Sequence, residues 1–497
     1  MKGNEVVLGF APSLKMVAGE KLVCEPAYFG VYRRGQHDKE TTGHALPSES
    51  EAMVAMSSAI LGPPRFGFAP MACGWHSEME HGPYTEDSVA GDLKSLDFLA
   101  SCGIDLVSDS HPWGGEIAKM NALGPNDKYE LSPQVRKVLE HAQKVGVKVV
   151  MWSTMTNTHP WFGGKPFRAD RPDWMLDAAA VDVPADQKDS KGNCMGNKPF
   201  LDWLTRVNLD GLATGYYKSW VMDGDFFGGM GWYTTVVPVK CRSDKHDHLP
   251  GDANYACQRA LGQLIESVRR HYPNTYIWTC RPPQDLGVWA MRNVDVCFTL
   301  VELGEAKNNL AAGDEIRTFS RTRVHRDFFP HYLDQPVAFL NLYAGSKSKW
   351  LEDHLDFIML SALGSSPNQL FYLPTKTGIP DADKAEIRKW LDWGRKNIEY
   401  LKVRKDLPDW PAADKVDGSA HMVNDRGLVF LFNSGKNTLP GEFTLTEDSI
   451  GLKGKGNFQV SQEYPASDRK IVSTSGQTVR WEVPAEGAIV LRVQPAQ

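Results

Sequence analysis

The chain contains no unbroken run of about 18 or more apolar residues, so no segment qualifies as a membrane-spanning helix. Its first residues, MKGNEVVLGFAPSLK, lack the charged start, apolar run and small-residue cleavage site of a secretory signal. A cytoplasmic location is therefore expected, unless the start has been trimmed. Charge of either sign is not in large excess: the formal net charge is −6, which implies no general attraction to nucleic acid or anionic membrane. The eight cysteines (Cys24, Cys73, Cys102, Cys194, Cys241, Cys257, Cys280 and Cys297) include no CxxC pair and no metal-ligand spacing. Buried free thiols are the expectation, with no metal. Missing too are a P-loop, an HExxH and a GxSxG, and no GxGxxG follows any strand-like run. No cofactor is called for, and a serine hydrolase is disfavoured. There is no internal repeat and no low-complexity tract.

What is present is ordinary in bulk and patterned in detail. With 497 residues, 42% hydrophobic and 23% charged, the chain is long enough for two or three domains, one of them large. Its 15 Trp, 15 Tyr and 21 Phe stand out. Aromatic faces suit the apolar CH faces of sugar rings, although most will serve as core. Residues 1–64 carry short β-like runs (EVVLGF, KLVCEP, YFGVYRR) and read as a short N-terminal β segment, a remnant of a β-sandwich or a strap. From residue 65 strand-like and helix-like runs alternate. Strands are expected near 66, 104, 147, 216, 275, 295, 336 and 368, most followed by a helix, with Thr85 capping the first helix and Gly103 ending it. Eight such units over 65–401 match an α/β (β/α)8 TIM barrel with insertions. An open doubly wound sheet is the alternative. After residue 401 short strands alternate with Gly, Asn, Asp and Pro turns, which predicts an all-β sandwich over 415–497 behind a linker at 406–414.

The chemistry gathers around YYKSWVMDGDFFGG, residues 216–229. A short apolar strand runs into Asp223-Gly224-Asp225, and alternation puts the two carboxylates on one face. A turn or a helix cap is the plain alternative, since Asp-Gly is also a turn signal. In a barrel, functional residues follow the strands. Trp75 follows the first; Asp109, His111 and Trp113 the second. Trp152 ends the third. Cys280, Arg281 and then Asp285 follow the fifth, and Glu302 the sixth. Loop tryptophans and histidines often only pack or cap, so their joint placement on one rim carries more weight than any one of them. Carboxylates amid aromatics are the chemistry of glycosidic bond cleavage. The stretch 230–250, GWYTTVVPVKCRSDKHDHLP, reads as an inserted loop over that cleft or as a solvated surface loop.

The segments PMACGWHSE, VSDSHPW, WVMDGDF and CRPPQDLGVW together resemble the α-galactosidase (melibiase) group of retaining glycoside hydrolases. The resemblance covers about 65–400 and agrees with a C-terminal β domain. It implies that Asp223 is the nucleophile. The family's acid/base, an Asp after the sixth strand, has no match; Glu302 is the nearest carboxyl and Asp285 the reserve. The family's sugar-binding lysine, two residues before the nucleophile, is Val221 here, with Lys218 nearby at opposite strand parity. Galactose specificity is thereby in question. Asp109, Asp225 and Arg281 are expected to bind hydroxyls, and Trp75, Trp113 and Trp152 to stack on the ring, with His111, Lys218 and Cys280 at the same pocket. The partner expected is an oligosaccharide or glycoside, with no nucleic acid or membrane. A carbohydrate-binding pseudoenzyme and a transglycosylase remain the alternatives.

Overall fold

A computed structural model describes residues 13–24, 29–31 and most of 52–496; the larger stretches outside it are 32–51, 109–118, 155–170, 175–192, 224–240, 280–291, 298–336 and 342–352. Eight parallel strands form the centre: β1 (Ala69–Cys73), β2 (Leu106–Ser108), β3 (Lys148–Thr154), β4 (Ser219–Asp223), β5 (Tyr276–Thr279), β6 (Val296–Cys297), β7 (Val337–Asn341) and β8 (Asn368–Tyr372). Their order in the sheet is β6-β5-β4-β3-β2-β1-β8-β7. Each strand lies beside its neighbour in sequence, and the first lies beside the last. That is the cyclic order of a barrel, interrupted among the described residues between β6 and β7. An open doubly wound sheet does not place its first and last strands side by side.

Between these strands run α1 (Glu86–Ser101), α2 (Pro133–Val145), α3 (Lys198–Ala213), α4 (Asn254–His271) and α5 (Leu355–Leu363), and after β8 come α6 (Asp381–Lys396) and the single turn α7 (Ile398–Leu401). Their ends follow local chemistry. Thr85 accepts from Ser88 N at 3.2 Å to cap α1, and Asn197 accepts from Phe200 N at 2.9 Å to cap α3. Gly103 takes φ +83° just beyond α1. The helix expected over 313–329 lies outside the described residues.

Strand alternation divides the sheet into two faces. Val107, Val149, Met151, Trp220, Ile277 and Phe371 face the helices and join the main core. Met71, Leu106, Val150, Val221, Tyr276, Trp278, Leu370 and Tyr372 form a second cluster on the other face. Tyr276 of β5 donates its hydroxyl to Asn368 Oδ1 of β8 at 3.0 Å. Those strands stand five places apart in the sheet, so the sheet curls until its inner face meets itself.

The C-terminal part has a six-stranded sheet in the order β14 (Lys470–Thr474), β13 (Asn457–Tyr464), β16 (Gly487–Pro495), β11 (Arg426–Asn433), β10 (Val416–Val423), β9 (Lys405–Asp406). A two-stranded layer, β12 (Leu439–Thr444) with β15 (Thr478–Val483), covers one face. Val429, Leu431, Leu491 and Trp481 fill the space between the layers. The opposite face of the large sheet, with Leu428, Phe430, Phe432 and Val490, joins the core around the helices. Phe432 meets Phe357 of α5 at 5.5 Å between ring centroids, and Phe430 meets Trp393 of α6 at 6.0 Å. Helix α5 is accordingly buried all round. The expected linker begins with β9, so residues 405 and 406 already belong to the sandwich.

The β-like runs expected in residues 1–64 lie mostly outside the described residues. Among the described residues of 1–64 the only pairing is one isolated bridge, Leu14 with His248, and the described positions of 52–61 are helical. Residues 13–15 lie against the loop 247–249.

Candidate functional site

In a sheet of this kind the loops after the strands form the working rim. Asp223 is the last residue of β4, paired with Thr154 at the end of β3. It closes the strand at the carboxyl rim, two residues beyond Val221, which lines the inner cluster. Trp152 is half-buried, packs on the inner cluster and lies opposite Val221 in register. Trp152 and Asp223 thus belong to the carboxyl-terminal parts of adjacent strands. Trp75, Asp109, His111, Trp113, Asp225, Cys280, Arg281, Asp285 and Glu302 lie outside the described residues.

Lys218 is placed elsewhere. It precedes β4, is exposed, and its carbonyl accepts from Tyr276 N. Five residues of extended chain put it roughly 16 Å from Asp223, at the opposite rim. The cause is a strand that starts later than the β-forming Tyr216 and Tyr217 suggest: Gly215 turns the chain at φ +75° and β4 begins at Ser219.

On the carboxyl rim Glu78, just after β1, accepts from Lys376 N at 2.9 Å and Thr377 N at 3.0 Å in the loop after β8. It acts as a clamp between two rim loops. A second assembly on this rim was not foreseen. Cys194 precedes α3, while Cys241, His246 and His248 lie in the loop between β4 and α4. The four side chains are buried, and their donor atoms all lie within 4.8 Å of one another. Cys194 Sγ is 3.1 Å from His248 Nε2, and Cys241 Sγ is 3.0 Å from His246 Nδ1. The Cys194 thiol and burial set the local charge balance: hydrogen bonding from Cys194 draws the Cys241 thiol down to about 3, against the opposing effect of burial. Burial disfavours a charged imidazole at His246 and His248, yet contact with Cys241 raises both above the usual histidine range. Two segments distant in sequence meet here, which is why cysteine spacing alone did not suggest it. The compact run Cys241-x4-His246-x-His248 was the available signal.

Eight parallel strands with outer helices are thus followed by an antiparallel sandwich. No family model matches the chain, and a search of curated proteins finds no match. Solved structures do match in fold. The GH36 α-galactosidase AgaA of Geobacillus stearothermophilus superposes with a TM-score of 0.63 at 11% identity, over 90% of this chain and 59% of that one. The galactosidase domain of the α-galactosidase-sucrose kinase AgaSK gives 0.62 at 12%, over 90% and 58%. The α-galactosidase of Lactobacillus brevis gives 0.61 at 12%, over 91% and 58%. The likeness is one of fold, and the chain spans less than two thirds of each of these proteins.

Proposed function

We propose that the protein is a retaining glycoside hydrolase of the α-galactosidase type, cleaving terminal α-linked sugars on a (β/α)8 barrel closed between β6 and β7. The observation that supports this most is the position of Asp223 at the carboxyl end of β4, in register with Thr154 at the end of β3. In this reading the Asp223 carboxylate attacks the anomeric carbon as the bond to the leaving oxygen breaks. Glu302, with Asp285 in reserve, gives that oxygen its proton. The same acid, now a base, takes a proton from water, which attacks the anomeric carbon and releases Asp223. Asp109, Asp225 and Arg281 bind hydroxyls; Trp75, Trp113 and Trp152 carry the ring; His111 and Cys280 complete the pocket. The GH36 neighbours include complexes with stachyose and raffinose, in agreement with an oligosaccharide substrate.

Val221 is fully buried where the family resemblance expects a lysine. A methyl-bearing wall cannot donate to a sugar hydroxyl, so the preferred sugar is expected to differ from galactose, or the site to bind without cleaving. A panel of chromogenic α-glycosides assayed with the native protein and with Asp223→Asn tests both. Cleavage of one substrate, lost by about three or more orders of magnitude in the variant, supports the enzyme. Binding of sugar with no cleavage by either protein supports the second reading. Equal activity of the two proteins overturns the assignment of Asp223.

A further inference from the structure

We propose that Cys194, Cys241, His246 and His248 bind a structural zinc ion that ties the loop leaving β4 to the start of α3. Three features converge on this.

The donor set is the first. Two thiols and two imidazoles with donor atoms mutually within 4.8 Å enclose a volume of the right size. Zinc–sulfur bonds of about 2.3 Å and zinc–nitrogen bonds of about 2.0 Å give tetrahedral edges of roughly 3.5–3.8 Å. The two sulfur–nitrogen edges of 3.0 and 3.1 Å need to open by only a few tenths of an ångström. With four protein ligands the coordination is complete, so the ion's role is structural and not catalytic.

The second is the outer hydrogen bonding. His246 Nε2 meets the carbonyl of Asp173 at 2.6 Å, and His248 Nδ1 meets the carbonyl of Leu249 at 3.0 Å. Each carbonyl can only accept, so each of those nitrogens carries the ring proton. The remaining nitrogen of each ring presents its lone pair to the cluster. This tautomer-fixing by backbone carbonyls is the usual arrangement around metal-bound histidine.

The third is charge and shape. Exposure is 0% for Cys194 and His248, 4% for His246 and 5% for Cys241. Two thiolates in such a place are costly, but with a divalent cation the assembly is neutral. The loop is also built tightly around it. Cys241 N donates to Pro250 O at 2.7 Å, closing the loop, and Leu249 N donates to Ser13 O at 2.6 Å, so the N-terminal strap braces it. A Cβ on Gly196 would lie 2.9 Å from His248 Cδ2, so only glycine lets the Cys194 turn approach. Cys257, also buried, stays outside the set of four.

Elemental analysis of the purified full-length protein, after dialysis against a weak chelator, is expected to give one zinc per chain. Removal by a strong chelator should lower the melting temperature, and added zinc should restore it. Cobalt loaded into the stripped protein should show thiolate charge-transfer bands and intense tetrahedral d–d bands. Cys241→Ser and His248→Ala should each lose the metal, while Cys24→Ser, at an exposed thiol, should keep it. Stripped native protein that takes up no zinc or cobalt overturns the proposal, as does a thiol count showing an oxidised pair among these cysteines. Full metal content in both ligand variants places the ion elsewhere. Loss of metal from Cys257→Ser with retention in His246→Ala overturns the ligand set.

Discussion

The two ends of the curled parallel sheet handle charge in opposite ways. At the amino end carboxylates are locked to arginine. Arg269, at the end of α4, donates to Asn293 O at 2.9 Å, Pro273 O at 2.9 Å, Thr275 O at 2.8 Å and Asp295 Oδ2 at 2.5 Å, and Asp295 in turn accepts from Ile277 N at 2.7 Å. One guanidinium thus knits the turns that enter β5 and β6. Arg395 of α6 does the same for the turn entering β2, holding Asp105 at 2.8 Å. At the carboxyl end the described groups tie loop to loop: Glu78 clamps the loop after β8, and the cysteine–histidine cluster joins α3 to the β4 loop. The amino end fixes strands to strands, so the carboxyl end can vary its loops while keeping its strands in place.

The sharpest way to break this contrast is to exchange effects between the ends. Asp223→Ala, at the carboxyl rim, is expected to reduce turnover by several orders of magnitude with a melting temperature equal to or slightly above that of the native protein. Azide should restore part of the turnover with an activated glycoside, giving an inverted glycosyl azide. Rescue of Asp225→Ala in place of Asp223→Ala would move the nucleophile two residues on.

Asp295→Ala should do the reverse. It leaves Arg269 nearly buried, at 11% side-chain exposure, without its counter-charge. A loss of about 3–5 kcal/mol in denaturant unfolding is expected, with KM unchanged in the protein that remains folded. A loss of under 1 kcal/mol would mean that the backbone carbonyls alone hold the guanidinium.

Acid should reach the amino end through the seam with the sandwich. His421 is fully buried, its Nε2 held by Ser419 Oγ and by Gly364 O at the turn into β8. Burial first, and the nearby Arg404 next, push its pKa down from 6.5 to about 4. The unfolded chain then binds a proton more readily than the folded one between those values. Stability from this site is complete above pH 6.5 and falls as the pH drops toward 4, by up to about 3 kcal/mol. Unfolding midpoints at pH 7 and pH 4.5 measure it, and His421→Gln should flatten the difference.

The smallest effect should be that of Lys218→Ala. Exposed at the amino rim, it should change stability by less than about 0.5 kcal/mol and leave kcat/KM unaltered. A large loss in KM would return Lys218 to the sugar site and contradict the direction of β4.

Much of this plan was visible in the residues. Eight apolar runs located eight strands within a few positions because buried parallel strands are near-continuous apolar stretches. Asp223 followed from where one such run stops. Strand starts were harder: Tyr216 and Tyr217 favour β structure, but Tyr217 is drawn into the helix-side core before the ladder begins. The sandwich was legible from its turns; Asn424, at φ +59°, opens the hairpin between β10 and β11. The cysteine–histidine cluster was not, because Cys194 lies far before Cys241, His246 and His248 in the chain and only the fold brings it to them.

The six-stranded sheet, with one face against its own small layer and the other against α5 and α6, has a consequence for how the protein can be dissected. The change of sequence texture near residue 401 invites a cut there, and a cut there would leave Phe357, Trp390 and Trp393 facing water. Barrel and sandwich are expected to melt together in a single calorimetric transition. A fragment ending at Leu401 is expected to aggregate, and limited proteolysis should find its first nicks in loops of the carboxyl rim instead of at that apparent boundary.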